Sequence, residues 1–343
     1  MRILAIESSC DETAAAVVEN GQKLLSSVVA TSAEMHAKTG GIIPEQAARQ
    51  QLVSIVPVID ETLKKARLTK NDIDALAVTA GPGLIGSLLV GVEAAKTLVY
   101  LWNKPLIPVN HLVGHIYANW INSNNKQFQT LKFPALALVV SGGHTDLVLL
   151  KGHGNIKWLG GTRDDAAGEA FDKTARLLDL PYPGGPSISK EAEKYLVKHP
   201  KAKLKLFPRP MLDSQDYDWS FSGLKTAVLK YVQENKRFDV SNVAAELQEA
   251  IVDVLVEKAS RAVAQINPKS FLLAGGVAAN KRLRDKFEVD FFLKKFSTTF
   301  HVPPINLCTD NAAYIASAAF YNFKKVKWTD VDARPELTIT GQI

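Results

Sequence analysis

Residues 134–152 read PALALVVSGGHTDLVLLKG: an apolar, β-prone run, a glycine-polar turn at SGGHTD, and a second apolar run. The pattern predicts a strand, a tight turn and a return strand. The chain opens in the same way, with RILAIESS passing through the polar turn CDET into AAAVVE, and KLLSSVVAT following as a third strand. Downstream, PEQAARQQLVSIVPVIDETLKKA (44–66) has helical apolar spacing with proline in its first turn. IDALAVTAG reads as a buried strand ended by GPGLIGS, which opens the helix SLLVGVEAAKTLVYLW; PLIPVN is the next strand. After 152 the order repeats. Helices are predicted at AAGEAFDKTARLLD (166–179), SFSGLKTAVLKYVQE (220–234) and SNVAAELQEAIVDVLVEKASRAVAQI (241–266), then a strand, Gly-Gly turn and helix at KSFLLAGGVAANKRLRDKF (269–287). The duplicated order predicts two similar α/β lobes facing each other across a cleft.

Composition sets limits on class. With 343 residues, 46% hydrophobic and 22% charged, the chain has ample material for a globular core. The opening MRILAIESSC does not resemble a signal peptide, and the longest apolar stretch, GLIGSLLVGVEAAKTLVYLW (83–102), carries Glu93 and Lys96. A cytoplasmic protein is expected. Cys10 and Cys308 are far apart with no C-x-x-C pair, which argues against a disulfide scaffold or a structural zinc site. The net charge of +6 permits an anionic partner without demanding one.

A cleft between duplicated lobes suits a nucleotide, because glycine turns and helix N-termini bring backbone N–H groups to phosphate oxygens. Neither the G-x-x-x-x-G-K-[ST] pattern nor a convincing G-x-G-x-x-G is present, so ordinary P-loop and dinucleotide-binding readings are set aside. In NHLVGHIYAN (110–119), His111 and His115 stand four apart and would share one helix face. Two such imidazoles can bind one metal ion. Leu112, however, occupies the place where the zinc-protease motif H-E-x-x-H keeps its general base. A damaged protease, a chance pair of core histidines and a metal site for other chemistry all remain open on these residues alone.

A wider set of motifs narrows the choice. IESSCDET, GGIIPE, TAGPGLIGSLLVG, NHLVGHIYA, LVVSGGHT, GEAFDKTARLL, YPGGP, WSFSGLKTA, LLAGGVAANKRLR and CTDNAAYIA follow one another in an order that resembles the TsaD family of tRNA threonylcarbamoyladenosine biosynthesis proteins. The resemblance covers nearly the whole chain, and WSFSGLKTA is similar to the bacterial branch. It implies an α/β fold of the actin-, heat-shock-protein- and sugar-kinase-like (ASKHA) class, with two duplicated ribonuclease-H-like lobes around a nucleotide cleft. The expected division is an N-terminal lobe, 1–132, with 323–343 packing back on it, and a C-terminal lobe, 133–322, with a helical insertion at about 160–240.

The resemblance also implies site residues and a reaction. His111, His115 and Asp310 would be the metal ligands, for Fe(II) by preference or Zn(II). Val139, Val140, Ser141, Gly142 and Gly143 would lie against nucleotide phosphates, Asp172 against the ribose, and Gly185, Ser189 and Asn280 near the same adenine nucleotide. Asp11 and Glu12, in the first hairpin turn, would orient the metal or the attacking amine. The implied activity transfers the threonylcarbamoyl group from L-threonylcarbamoyladenylate to N6 of adenosine 37 in tRNA, forming threonylcarbamoyladenosine and releasing AMP. Implied partners are tRNA, a paralogous TsaB-like subunit, a TsaE-like ATPase and a TsaC-type enzyme that supplies the adenylate. The chain departs from the family pattern at Gln51, where a histidine is expected. Rival readings are an ATPase or kinase of the same fold acting on a small molecule, a metalloprotease, and a catalytically silent scaffold.

Overall fold

The computed structural model describes residues 1–32, 35–36, 41–122 and 131–343. Two units are resolved by their internal contacts: residues 1–131, 153–156 and 303–343 form the first, and 132–152 with 157–302 the second.

In the first unit, β1 (Arg2–Glu7), β2 (Glu12–Glu19) and β3 (Lys23–Thr31) form the antiparallel meander expected from the opening hairpin. Its register pairs Ile3 with Val18 and Ala5 with Ala16. Helix α1 (Pro44–Ala66) leads to β4 (Ala75–Gly81), which pairs in parallel with β1; α2 (Ile85–Trp102) leads to β5 (Leu106–Asn110), parallel to β4. The sheet order is therefore β3-β2-β1-β4-β5. Leu4, Ile6, Ala15, Val17 and Val78 on one face pack with Ile55, Val58 and Ile59 of α1 and Val92, Ala95 and Val99 of α2. Helix α2 is long and apolar enough to cross a bilayer, yet this stripe of it is buried in the core.

Short helix α3 (His111–Tyr117) follows β5 directly. In the second unit, β6 (Ala135–Val140), β7 (Thr145–Gly152) and β8 (Asn155–Gly161) repeat the meander. Helices α4 (Ala167–Leu177), α5 (Gly184–Lys198), α6 (Ser222–Glu234) and α7 (Val240–Ile266) separate it from β9 (Ser270–Ala274), α8 (Lys281–Lys294) and β10 (Thr299–His301). The order here is β10-β9-β6-β7-β8, with β6, β9 and β10 parallel. Read from the opposite edge this is the order of the first sheet, so the duplication inferred from the sequence holds strand for strand.

The final helix, α9 (Ala312–Tyr321), departs from the expected boundary at 322. It groups with the first unit, not the second. Its sequence AAYIASAAFY is small and apolar on every side, so it can lie closely on the strands, and Ser317 Oγ donates to the Gly21 carbonyl at 2.7 Å. Residues beyond it return to β4 and β5: Arg334 N–H donates to the Ala80 carbonyl at 2.7 Å, and Val326 bridges to Leu106.

Candidate active site

The two histidines sit on a helix that the sequence starts sharply. Asn110 caps α3, its side-chain oxygen accepting from the N–H groups of Leu112 at 3.0 Å and Val113 at 3.3 Å. His111 and His115 thereby fall on one buried face, 8% and 1% exposed. Gly114 lies between them because a Cβ there would come within 2.7 Å of Ile315 and 2.8 Å of Tyr314 on α9. That close approach brings Asp310 to the pair. Asn311, capping α9 through Ala313 and Tyr314, fixes the residue just before it. Asp310 Oδ1 lies 3.4 Å from His115 Nε2 and 3.7 Å from His111 Nε2, and accepts from the Tyr314 hydroxyl at 3.3 Å. One ligand atom from each of His111, His115 and Asp310 lies within 4.8 Å of the others.

The charge balance of this cluster is uneven. Glu7, wholly buried at the end of β1, lies 3.0 Å from His111 Nδ1. Burial opposes protonation of His111, but Glu7 and Asp310 overcome it and raise the imidazole to about 9. His115 moves the other way, lowered by burial and by His111; its Nε2 faces Asp310, and its Nδ1 is buried without a hydrogen-bond partner. Burial works against ionising Asp310, yet His111 and His115 hold it below the usual carboxylate range. Glu12 is pushed far up by burial, with Asp310 and Asp11 adding to the effect.

The acidic turn between β1 and β2 is tied down by its carbonyls. Gln51 Nε2 donates to the carbonyls of Cys10 at 3.1 Å and Glu12 at 2.9 Å, Leu84 N–H to Ser9 at 2.8 Å, Ser87 Oγ to Cys10 at 2.9 Å and Ser32 Oγ to Asp11 at 2.7 Å. Gln51 is thus a buried clamp on the turn carrying Asp11 and Glu12, which is what the departure from histidine supplies in this chain.

In the second unit the residues expected around a nucleotide gather near the C-terminal ends of β6 and β9. Val139 and Val140 are wholly buried strand residues, so they support the turn and offer no accessible side chain. Ser141, Gly142 and Gly143 form the turn itself, and a Cβ on Gly142 or Gly143 would meet nothing within 4 Å. Gly168 in α4 abuts this turn: a Cβ there would lie 2.5 Å from the Ser141 carbonyl. One turn along α4, Asp172 Oδ1 accepts from Gly184 N–H at the start of α5 at 2.8 Å, and burial raises its carboxyl. Beside it, Gly185 is open, with nothing within 4 Å of a Cβ. After β9, Gly275 turns the chain at φ 90°, where a Cβ would meet the Val140 carbonyl at 2.3 Å. Asn280 caps α8 through Leu283 N–H at 2.9 Å, and its Nδ2 donates to Ser189 Oγ at 2.9 Å and Gln248 Oε1 at 3.0 Å. Ser189 and Asn280 are therefore joined in one polar network.

Residues 23–317 match the family described as tRNA N6-adenosine threonylcarbamoyltransferase, TsaD. A protein of that name from Dehalococcoides mccartyi is 49% identical across 99% of this chain and its own full length. The one from Bacillus subtilis is 47% identical across 99% of this chain and 96% of its own. The chain belongs to the TsaD family.

Like other TsaD proteins it is a transferase acting on tRNA. More distant solved structures share its fold. Component A of the (R)-2-hydroxyglutaryl-CoA dehydratase of Acidaminococcus fermentans is 13% identical over 93% of this chain and 98% of its own, with a TM-score of 0.54. Full-length HypF in its phosphate- and nucleotide-bound form is 12% identical over 94% of this chain and 46% of its own, with a TM-score of 0.60. The architecture is the ASKHA fold that the sequence motifs implied. Sequence reasoning on the TsaD motifs passed over Glu7, Thr79, Tyr314 and Gln248. Glu7 alone left a signal there: a carboxylate directly after the apolar run ILAI, inside a strand.

Proposed function

We propose that His111, His115 and Asp310 hold one divalent cation in this transferase, Fe(II) or Zn(II), and that the second unit binds the adenylate donor. The observation that carries this reading is the convergence of the three ligand atoms, together with a buried His115 whose Nε2 faces Asp310. Two imidazoles and a carboxylate suit either metal. The local charge favours a cation as well, since the carboxylates of Glu7, Asp11, Glu12 and Asp310 crowd together: burial raises Glu12, and Asp310 and Asp11 raise it further.

When bound, the cation would supply electrostatic stabilisation to substrate oxygens as charge develops on the leaving phosphate. The chain's own residues do the positioning. The exposed turn at Gly142 and Gly143 receives phosphate oxygens, the Asp172 carboxylate meets a ribose hydroxyl, Gly185 admits the nucleotide closely, and the Ser189–Asn280 network borders it. Asp11 and Glu12, held by Gln51, orient the N6 amine of adenosine 37. That nitrogen bonds to the carbamoyl carbon, the carbon–oxygen bond to AMP breaks with its electron pair, and the amine loses a proton. Because the adenylate is already activated, orientation is the main contribution required of the protein.

Exposed apolar side chains at Leu52, Val53 and Val56 on α1 and Ile85 and Leu89 on α2 support a protein partner, read as the paralogous subunit. An auxiliary ATPase completes the assembly, and a tRNA substrate is consistent with work in the cytoplasm.

The test is reconstitution with tRNA, threonine, bicarbonate, ATP, the adenylate-forming enzyme, the paralogous subunit and the ATPase, read by nucleoside mass spectrometry. Threonylcarbamoyladenosine should accumulate, and far less of it with His111→Ala. Leu112 is wholly buried, so a glutamate there would be unsolvated, and neither wild type nor Leu112→Glu should cleave peptides. Metal-dependent peptide cleavage with unmodified tRNA would overturn the reading.

A further inference from the structure

Glu7 is a buried carboxylate at the hub of three hydrogen bonds from three parts of the first unit. Its Oε1 accepts from Ser9 N–H at 2.6 Å, in the turn leaving β1. Its Oε2 accepts from Thr79 Oγ1 at 2.7 Å, on β4, and lies 3.0 Å from His111 Nδ1, on α3. A buried carboxylate is tolerable only when its oxygens are satisfied, and here both are. Because both Glu7 oxygens already act as acceptors, from Ser9 N–H and Thr79 Oγ1, the geometry gives the hydrogen in the contact with His111 to Nδ1, which Ser9 Oγ also approaches at 3.2 Å. Nε2 of His111 then faces the side where His115 and Asp310 converge, where a metal ion would take the place of the proton it otherwise carries. His115 has no such support, its Nδ1 being buried without a partner. The two histidines, equivalent in the sequence, are therefore unequal in the fold.

We propose that Glu7 is a positioning residue that fixes His111 as the Nδ1–H tautomer, with Nε2 free for a metal ion, and that ties this ligand through Ser9 N–H to the acidic turn. The proposal rests on the reading of His111 as a ligand. Outer carboxylates that orient a ligating imidazole typically contribute about 10–100-fold to metal affinity. Replacing Glu7 by glutamine cannot preserve the hub: its amide N–H either faces Ser9 N–H or faces His111 Nδ1, where it requires a lone pair and so favours the other tautomer.

The experiment measures Zn(II) and Co(II) affinity of the full chain against a chromophoric chelator, with the Co(II) absorption spectrum as a second readout. Glu7→Gln should bind either ion about 10–100-fold more weakly and shift the Co(II) bands. Thr79→Val, which removes a donor without touching His111, should change affinity far less. Adenine nucleotide affinity, measured by calorimetry, should not change in either variant. Adding Glu7→Gln to His111→Ala should produce no further loss. A folded Glu7→Gln with wild-type affinity and spectrum overturns the proposal. If His111→Ala itself binds metal normally, the ligand reading falls first, and the two failures are thereby told apart. Should Glu7→Gln not fold, wild-type protein labelled with 15N-histidine and loaded with Zn(II) decides by nitrogen–proton correlation. A proton on Nδ1 of His111 supports the proposal, and a proton on Nε2 overturns it.

Discussion

The histidine–aspartate cluster of the first unit and the glycine turns of the second are built on opposite physical terms. The first is made of buried side chains with incompletely balanced charge: His115 Nδ1 has no hydrogen-bond partner, Glu12 is forced toward its neutral form, and Asp310 depends on two imidazoles. The second is made of backbone and small residues whose polar groups are already satisfied or open to solvent, as at Gly142, Gly143 and the Ser189–Gln248–Asn280 network. A site with unmet charge implies an ion. A site with exposed N–H groups and no side chains in the way implies a ligand that brings its own charge. The same strand order thus carries two unlike clusters, one of buried charged side chains and one of open glycine turns.

The sharpest way to break this contrast is to remove a ligand from the first site. Asp310→Ala should lower tRNA modification by about 10²–10³-fold, the scale of losing a main electrostatic stabiliser. Nucleotide affinity in the second unit, read by calorimetry, should stay near wild type. If both fall together, the two sites are not independent in the way their construction implies.

A smaller effect is expected from Asp172→Ala, which should weaken adenine nucleotide binding by about 1.5–3 kcal/mol through loss of the ribose contact. Bound metal should be unchanged. Because Asp172 also accepts from Gly184 N–H, the variant should lose about 1 kcal/mol of stability as a lost helix cap. A stability loss with unaltered calorimetric affinity would leave only the capping role.

The smallest effect concerns a charge cluster in the second unit that, unlike the histidine site, is internally paired. Glu249 is burdened by burial, but Arg282 at 2.7 Å and Lys286 at 2.7 Å lower its carboxyl from the ordinary 4.5 to about 2. A carboxyl depressed on folding stabilises the native state above its unfolded value. That contribution should be full above about pH 4.5 and lost between there and about pH 2. Arg282 is 41% exposed, so the expected size is on the order of 1 kcal/mol. Melting temperatures across this range should fall more steeply for wild type than for Glu249→Gln.

Much of this was legible in the residues. PALALVVSGGHTD and RILAIESSCDET folded as read, because an apolar β-prone run broken by a polar or glycine turn is a local signal. Asn280, which reads unaided as a helix cap, is one. By contrast, nothing local distinguishes Val139 and Val140 from residues exposed at a strand end; their burial depends on both faces of the sheet being covered. The second role of Asp172 was equally hidden, since the N–H it accepts belongs to another helix.

The sequence by itself determined the duplicated strand and helix order, the i, i+4 spacing of His111 and His115, and the turn chemistry at both hairpins. These are written within a few residues of each other, and backbone periodicity reads them directly. Tertiary structure alone decided that α9 belongs to the first unit, that Asp310 reaches the histidines from nearly 200 positions away, that Gln51 clamps the acidic turn, and that Glu7 stands behind one histidine and not the other. Such contacts depend on which helix face meets which strand edge. That choice is made by packing the whole unit, where a single close approach, as at Gly114 against α9, sets several side chains at once.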